Sequence, residues 1–251
     1  MGRRYNGPAN DEEEAHAITV DTSGNVYVTG HSVGSGTQED YATIKYNASG
    51  TEEWVTSYNG QANLNDHATA IAVDASGNVY VTGLSVGSGT QEDYATVKYD
   101  SSGQQQWVAR YDGPANLNDD ARAIAVDGSG NVYVTGFSIG LGTGFDYATV
   151  KYDSAGQEQW VVRYNGPANL DDDAYAIAVD ASGNVYVTGY STVDAITGQT
   201  DYTTIKYSQA PSPTPTPTVT PTATPTPTTT ATPRSTPTPR PRPTPAPRPS
   251  P

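Results

Sequence analysis

The chain has 251 residues, with 27 acidic and 13 basic side chains, a formal net charge of −14 and no cysteine. The missing cysteine excludes a disulfide framework and thiolate chemistry. Residues 1–210 hold all 27 acids against 9 bases, whereas the remainder carries only Arg234, Arg240, Arg242 and Arg248. A folded part of that sign repels phosphate and argues against nucleic acid as a partner; cationic partners or divalent cations suit it better. No run approaches the ~18 apolar residues of a membrane span, so no membrane insertion is expected. The opening "MGRRYNGPAN" lacks the apolar core of a signal peptide.

In chain order, "RRYNGPAN" at the start matches "VRYNGPAN" at Val162–Asn169 from Arg4 onward. Residues 1–5 therefore read as the tail of an outer strand, and the chain starts inside a repeat. Asp21, Asp74, Asp127 and Asp180 then stand 53 residues apart, as do Trp54, Trp107 and Trp160. Asn59–Tyr111 and Asp112–Tyr164 agree at 40 of 53 positions, which makes the text a tandem array. The copies run at about 6–58, 59–111, 112–164 and 165–208.

One copy contains four strand-like runs: "ATAIAVD" (Ala68–Asp74), "NVYVTGL" (Asn78–Leu84), "DYATVKYD" (Asp93–Asp100) and "QQQWVARY" (Gln104–Tyr111). β-Branched and aromatic residues fill them. In the third run Tyr94, Thr96 and Lys98 share one face, and Ala95, Val97 and Tyr99 the other. No segment has sustained helical periodicity. The fold class expected is all-β: a β-propeller of four-stranded antiparallel blades, each about 53 residues. A single small sheet cannot bury both faces, but stacking against identical neighbours can. A β-solenoid fits less well, because its coils are about half this period.

The last copy stops after "DYTTIKY" (Asp201–Tyr207) with no tryptophan strand. Either residues 1–5 supply that strand and close a four-bladed ring, or the array is part of a larger propeller. The incomplete array is favoured, and its open blade faces invite self-association. Residues 211–251 are almost entirely proline and threonine, with some serine, alanine and arginine. They read as a low-complexity stalk or linker in extended polyproline form, with threonines open to glycosylation.

The recurring "AIAVDASGNVYVTG", "DYATVKYD" and "WVxRYNG" resemble the SBBP family, the bacterial β-propeller repeat, over about residues 1–208. The resemblance implies the fold, with seven blades in the complete form. It implies no catalytic residues, because the family is defined by its repeat, and fold alone does not assign activity.

In a propeller, the short turns "DASGN" and "DSSGQ" share one rim. The longer connections share the other, where ligands usually bind. The acids expected there are Asp66, Asp119, Asp120, Asp171, Asp172 and Asp173 in the blade-to-blade loops. At third-strand starts stand Asp40, Asp93, Asp146 and Asp201, with Glu39 and Glu92 beside two of them. They read either as a weak site for a cation or basic partner, or as a solvated face that keeps the protein soluble. "DASGN" spaces Asp74, Ser76 and Asn78 like the start of a calcium loop but lacks the closing glutamate. A hairpin turn bonded to Asp74 explains it better.

Lys45, Lys98, Lys151 and Lys206 are expected to pair with acids on neighbouring strands. The three tryptophans are expected to pack blades, with sugar stacking as the alternative. His16, His31 and His67 occupy three different repeat positions, and no nucleophile–base signature, zinc-type cluster or phosphate loop stands out. No cofactor is expected, beyond weakly held calcium.

The functional expectation is a non-enzymatic binding or scaffolding module, displayed outside the cell or on a bacterial surface. Its ligand would be a protein, carbohydrate or cell-wall component. The alternatives are a propeller hydrolase or lyase using the rim acids, and a structural fragment of a larger adhesin-like protein.

Overall fold

The structure is a computed structural model and describes residues 2–208. The stalk reading of 211–251 therefore lies outside the described residues. The first sheet contains β1 (Glu13–Val20), β2 (Val26–Val33), β3 (Glu39–Tyr46) and β4 (Glu52–Tyr58). The second contains β5 (Asp66–Val73), β6 (Val79–Val86), β7 (Glu92–Tyr99) and β8 (Gln105–Tyr111). The third contains β9 (Asp119–Val126), β10 (Val132–Ile139), β11 (Phe145–Tyr152) and β12 (Glu158–Tyr164). The last contains only β13 (Asp172–Val179), β14 (Val185–Thr192) and β15 (Thr200–Tyr207). Strands pair antiparallel in chain order within every sheet, and no described residue is helical.

Each inner hairpin turns on "DxSGN", which reads "DASGN" in the second and fourth blades. Asp74 accepts bonds from the backbone N–H groups of Ser76 (2.8 Å) and Asn78 (2.9 Å), from the Asn78 amide (2.7 Å) and from the Tyr80 hydroxyl (3.0 Å). Gly77 takes a φ of +78°, which a side chain would resist. Burial opposes ionisation of Asp74, but these donors outweigh it and hold the carboxyl below its ordinary range. Its oxygens are occupied by the turn and offer little to a calcium ion.

The alternation in the third strands feeds two different blade junctions. Ala95, Val97 and Tyr99 pack with Tyr27, Tyr41 and Tyr58 of the preceding blade. Tyr94 packs instead with Ala148, Val150 and Tyr152 of the following one. The first three tyrosines of this position also donate their hydroxyls to a carbonyl of the next blade: Tyr41 to Ala95 (3.1 Å), Tyr94 to Ala148 (3.2 Å), Tyr147 to Thr203 (3.3 Å). Trp54 and Trp107 behave likewise, their indole N–H groups donating to Ser101 and Ser154 at 3.2 Å. They are junction residues, as their spacing suggested.

The lysines differ from expectation. Lys45 pairs with Glu53 at 2.9 Å, but Gln106 and Gln159 stand at the equivalent positions. The shared feature is instead a tyrosine ring beneath the ammonium. Lys45, Lys98, Lys151 and Lys206 lie 5.2–5.6 Å from the centroids of Tyr27, Tyr80, Tyr133 and Tyr186. Lys45 and Lys98 also reach the Ser101 and Ser154 carbonyls.

Among the described residues, two blade faces of the array are uncovered. Tyr202, the last member of the junction series, is 97% exposed, and Ile18 and Val20 of β1 are 68% and 57% exposed. Residues 2–12 form no strand, so the outer strand expected from residues 1–5 is not among the described strands. Arg3 and Tyr5 instead line a cavity of about 470 Å³ on the first blade, with Val26, Val28, Ile44 and Tyr46.

Candidate functional site

Every inner strand carries a β-bulge at the same place. Pairing skips one residue between Ala15 and Ala17, Ala68 and Ala70, Ala121 and Ala123, and Ala174 and Ala176. The extra residues are His16, Thr69, Arg122 and Tyr175. A bulge re-aims a side chain and leaves it outside the ladder. Here that side chain changes chemistry in every blade of an otherwise repetitive array.

Two residues earlier stand Glu14, His67, Asp120 and Asp173, paired across the hairpin with His31, Leu84, Phe137 and Tyr190. All of these lie toward the rim of the long connections. The bulge residues link neighbouring blades. His16 Nδ1 lies 3.0 Å from the Ala68 carbonyl, Thr69 donates to the Ala121 carbonyl, and Arg122 lies 3.6 Å from Asp173. Arg122 also pairs with Asp120 at 3.3 Å and covers the Phe137 ring at 5.3 Å, which stacks on Phe145.

The three histidines converge. Their rings are 5.1 Å apart for His16 and His31, and 4.7 Å and stacked for His31 and His67. Glu39 contacts His67 and lies 3.8 Å from His31 Nε2. Glu14 lies 3.8 Å from His16 Nε2. Burial first, and then repulsion from His67, lower the pKa of His31 and favour its neutral form. The repeat offsets hid this group: His67 occupies in the second copy the place of Glu14 in the first, and the bulge brings His16 beside both. The legible signal was the departure from the repeat at the same rim.

The acids expected on this rim are placed differently from expectation. Asp66, Asp119, Asp120, Asp172 and Asp173 begin inner strands and are buried, as are Asp40, Asp93 and Asp146 at third-strand starts. Only Asp171 and Asp201 are exposed. The solvated acidic face is therefore corrected for the buried eight. Asp66, Asp119 and Asp172 accept from the N–H groups of Gly60, Gly113 and Gly166 and so fasten the incoming connection. Asp93 and Asp146 pair with Arg110 (2.8 Å) and Arg163 (2.9 Å). Oxygens of Asp93, Asp112 and Asp119 lie within 4.8 Å of one another.

Burial, against the opposing charge of Arg122, pushes Asp120 up to about 6. Burial likewise pushes Asp119 up to about 6, against hydrogen bonds that pull the other way. A carboxyl that binds its proton more tightly when folded favours the native state below the unfolded value of 3.8. That contribution is lost as the pH rises to about 6. Asp119→Asn should therefore flatten the fall in stability between pH 4 and pH 7, by roughly 1–2 kcal/mol after allowance for screening at the rim. Urea unfolding at the two pH values checks it; equal slopes for the parent and the variant would contradict it.

Four consecutive antiparallel blades, joined through their inner strands and carrying a divergent bulge at one rim, define a β-propeller array. The SBBP beta-propeller repeat family is what its repeats resemble: that family's model matches residues 7–36, 106–142 and 159–194. No curated protein matches the chain. Among solved structures, a gluconolactonase from Xanthomonas campestris is 16% identical, with a TM-score of 0.40, over 70% of this chain and 54% of that one. Regucalcin from Agrobacterium tumefaciens, a calcium-binding protein, is 12% identical, with a TM-score of 0.28, over 71% of this chain and 82% of that one. The chain thus spans a little over half the length of the gluconolactonase it matches. No described helix is long and apolar enough to cross a membrane.

Proposed function

We propose that this propeller is a non-enzymatic binding module, working outside the cell, whose binding face is the bulged end of the inner strands. The observation that carries this reading is the divergence of the bulge residues, His16, Thr69, Arg122 and Tyr175, in blades that otherwise repeat. Packing alone would keep them alike, as it keeps the junction tyrosines alike. The face also mixes aromatic rings with a charged pair: Tyr175 and Tyr190 lie 5.9 Å apart beside Arg122 and Asp173. That mixture suits a polar ligand with flat apolar surfaces, such as a carbohydrate or a protein segment. The Pro/Thr-rich 211–251 would act as its spacer.

The test is binding of the full chain to arrayed glycans and purified bacterial cell wall. Arg122→Ala and Tyr175→Ala should each weaken capture about tenfold or more. Ser76→Ala and Ser129→Ala, on the opposite rim, should bind as the parent does. Equal binding by all four variants would defeat the assignment of the face. Turnover of a captured ligand, lost in Asp120→Asn, would favour a hydrolase instead.

A further inference from the structure

We infer that Glu14, His16 and His31 form a site for one divalent transition-metal ion of the zinc class, with Glu39 and His67 as its supporting shell. One ligand atom from each of the three lies within 4.8 Å of the others. Two imidazoles and one carboxylate are a donor set that zinc uses where one coordination position stays open. Hard cations prefer all-oxygen sites, so the donors select against calcium and magnesium.

The second observation is His31 itself. It is 7% exposed, yet its Nδ1 has no hydrogen-bond partner. Its other nitrogen faces a carboxylate, with Glu39 3.8 Å from Nε2. A carboxylate behind the distal nitrogen is how protein metal sites orient a ligating imidazole. Glu39 is in turn held by His67, whose ring stacks on His31. His31 is thus fixed from two sides with a free donor.

Glu14 and His16 complete the set from the water side. Glu14 pairs with His31 across the β1–β2 ladder, and His16 is the bulged residue next along the strand face. Ligand atoms around zinc at about 2.0–2.1 Å sit roughly 3.4 Å apart, so the site must close by about an ångström. The exposed Glu14 side chain has the freedom to make that movement. The equivalent residues of the second blade are His67, Thr69 and Leu84, and those of the third are Asp120, Arg122 and Phe137. Neither set can ligate zinc in this way, so one ion per chain is expected. The site lies on the face assigned to binding, and the inference rests on that reading for what the ion serves: its open position would take a carboxylate or hydroxyl of the ligand.

Zinc chloride titrated calorimetrically into the full chain, with no other partner present, tests the site. One equivalent should bind. Cobalt substituted for zinc should show the visible absorption of a low-coordinate nitrogen–oxygen site. His16→Ala and Glu14→Gln, both at exposed positions, should retain the parent's circular dichroism and lose about tenfold or more in zinc affinity. His31→Ala is less decisive, because the side chain is buried. Absence of zinc binding, or equal affinity in the parent and both surface variants, would overturn the inference. Such a failure would leave glycan or cell-wall capture by the same protein intact, which separates it from failure of the binding reading.

Discussion

Gly83→Ala is expected to destabilise the protein by about 3 kcal/mol or more, and to leave much of it insoluble. The glycine lies in β6 opposite the bulge of β5. A Cβ there would stand 2.0 Å from the His67 carbonyl oxygen and 2.9 Å from the Ala68 Cα. Both are backbone atoms of the inner strand, so no side-chain rotation relieves the clash. The hairpin would have to open where it turns His67 and Thr69 toward the rim of the long connections. Gly30, Gly136 and Gly189 stand in the same relation to their own bulges, each within 2.0 Å of a backbone oxygen. Gly128→Ala is the control. Nothing lies within 4 Å of a Cβ there, so the substitution should be neutral or stabilise by about 0.4–1 kcal/mol through the unfolded chain. Urea midpoints for the two variants decide the matter. Similar values would mean that the bulge packing is not a determinant of stability.

That glycine also marks the limit of what the sequence makes legible. The strands were readable because the array repeats its own text. The four expected in the second copy fall within two residues of β5 to β8. Their alternating faces follow from side-chain periodicity alone. The bulge was not readable, since an extra residue in a strand leaves no mark on composition or period. Without it, "ATAIAVD" looks like plain alternation, and Thr69 looks like any strand residue.

The acids were misplaced for a related reason. Charge and loop position suggested solvent, whereas Asp66, Asp119 and Asp172 are buried against the glycine N–H groups of the connections. A short carboxylate that satisfies a turn is invisible to an argument from net charge. The histidines at different repeat positions argued against a shared site, yet strand pairing sets Glu14 opposite His31 and stacking of blades adds His67. Divergence among copies, concentrated at one rim, was the signal that would have found them.

Arg110→Ala is expected to cost about 3–5 kcal/mol, the range for a buried pair broken on one side. Arg110 lies in β8, with its side chain 21% exposed. It donates to the Ser85 hydroxyl (2.6 Å) and carbonyl (2.7 Å), to Asp93 (2.8 Å) and to Tyr58 of the preceding blade (3.2 Å). Its loss would leave Asp93, 5% exposed at the side chain, with the Thr90 hydroxyl as its remaining hydrogen-bond donor among the described residues and with Asp112 and Asp119 close by. The cost should therefore be electrostatic. It should be largest near pH 7 and smaller near pH 4, where the neighbouring Asp119, pushed up to about 6, has taken up its proton and no longer repels Asp93. A loss of the same size at both pH values would point to packing instead.

The first blade offers the reverse experiment. Ser57 occupies the place of Arg110. Tyr5, Ser32, Asp40 and Ser57 line a cavity of about 120 Å³ there, and Ser32 Oγ and Asp40 Oδ1 are buried without partners. Tyr5, Ser32 and Asp40 are the counterparts of Tyr58, Ser85 and Asp93. Ser57→Arg should place a guanidinium among them and raise stability by about 1–2 kcal/mol. A gain in this variant beside a loss in Arg110→Ala would show that one arginine per blade, bridging its own sheet and the tyrosine before it, is what ties consecutive blades together at this rim.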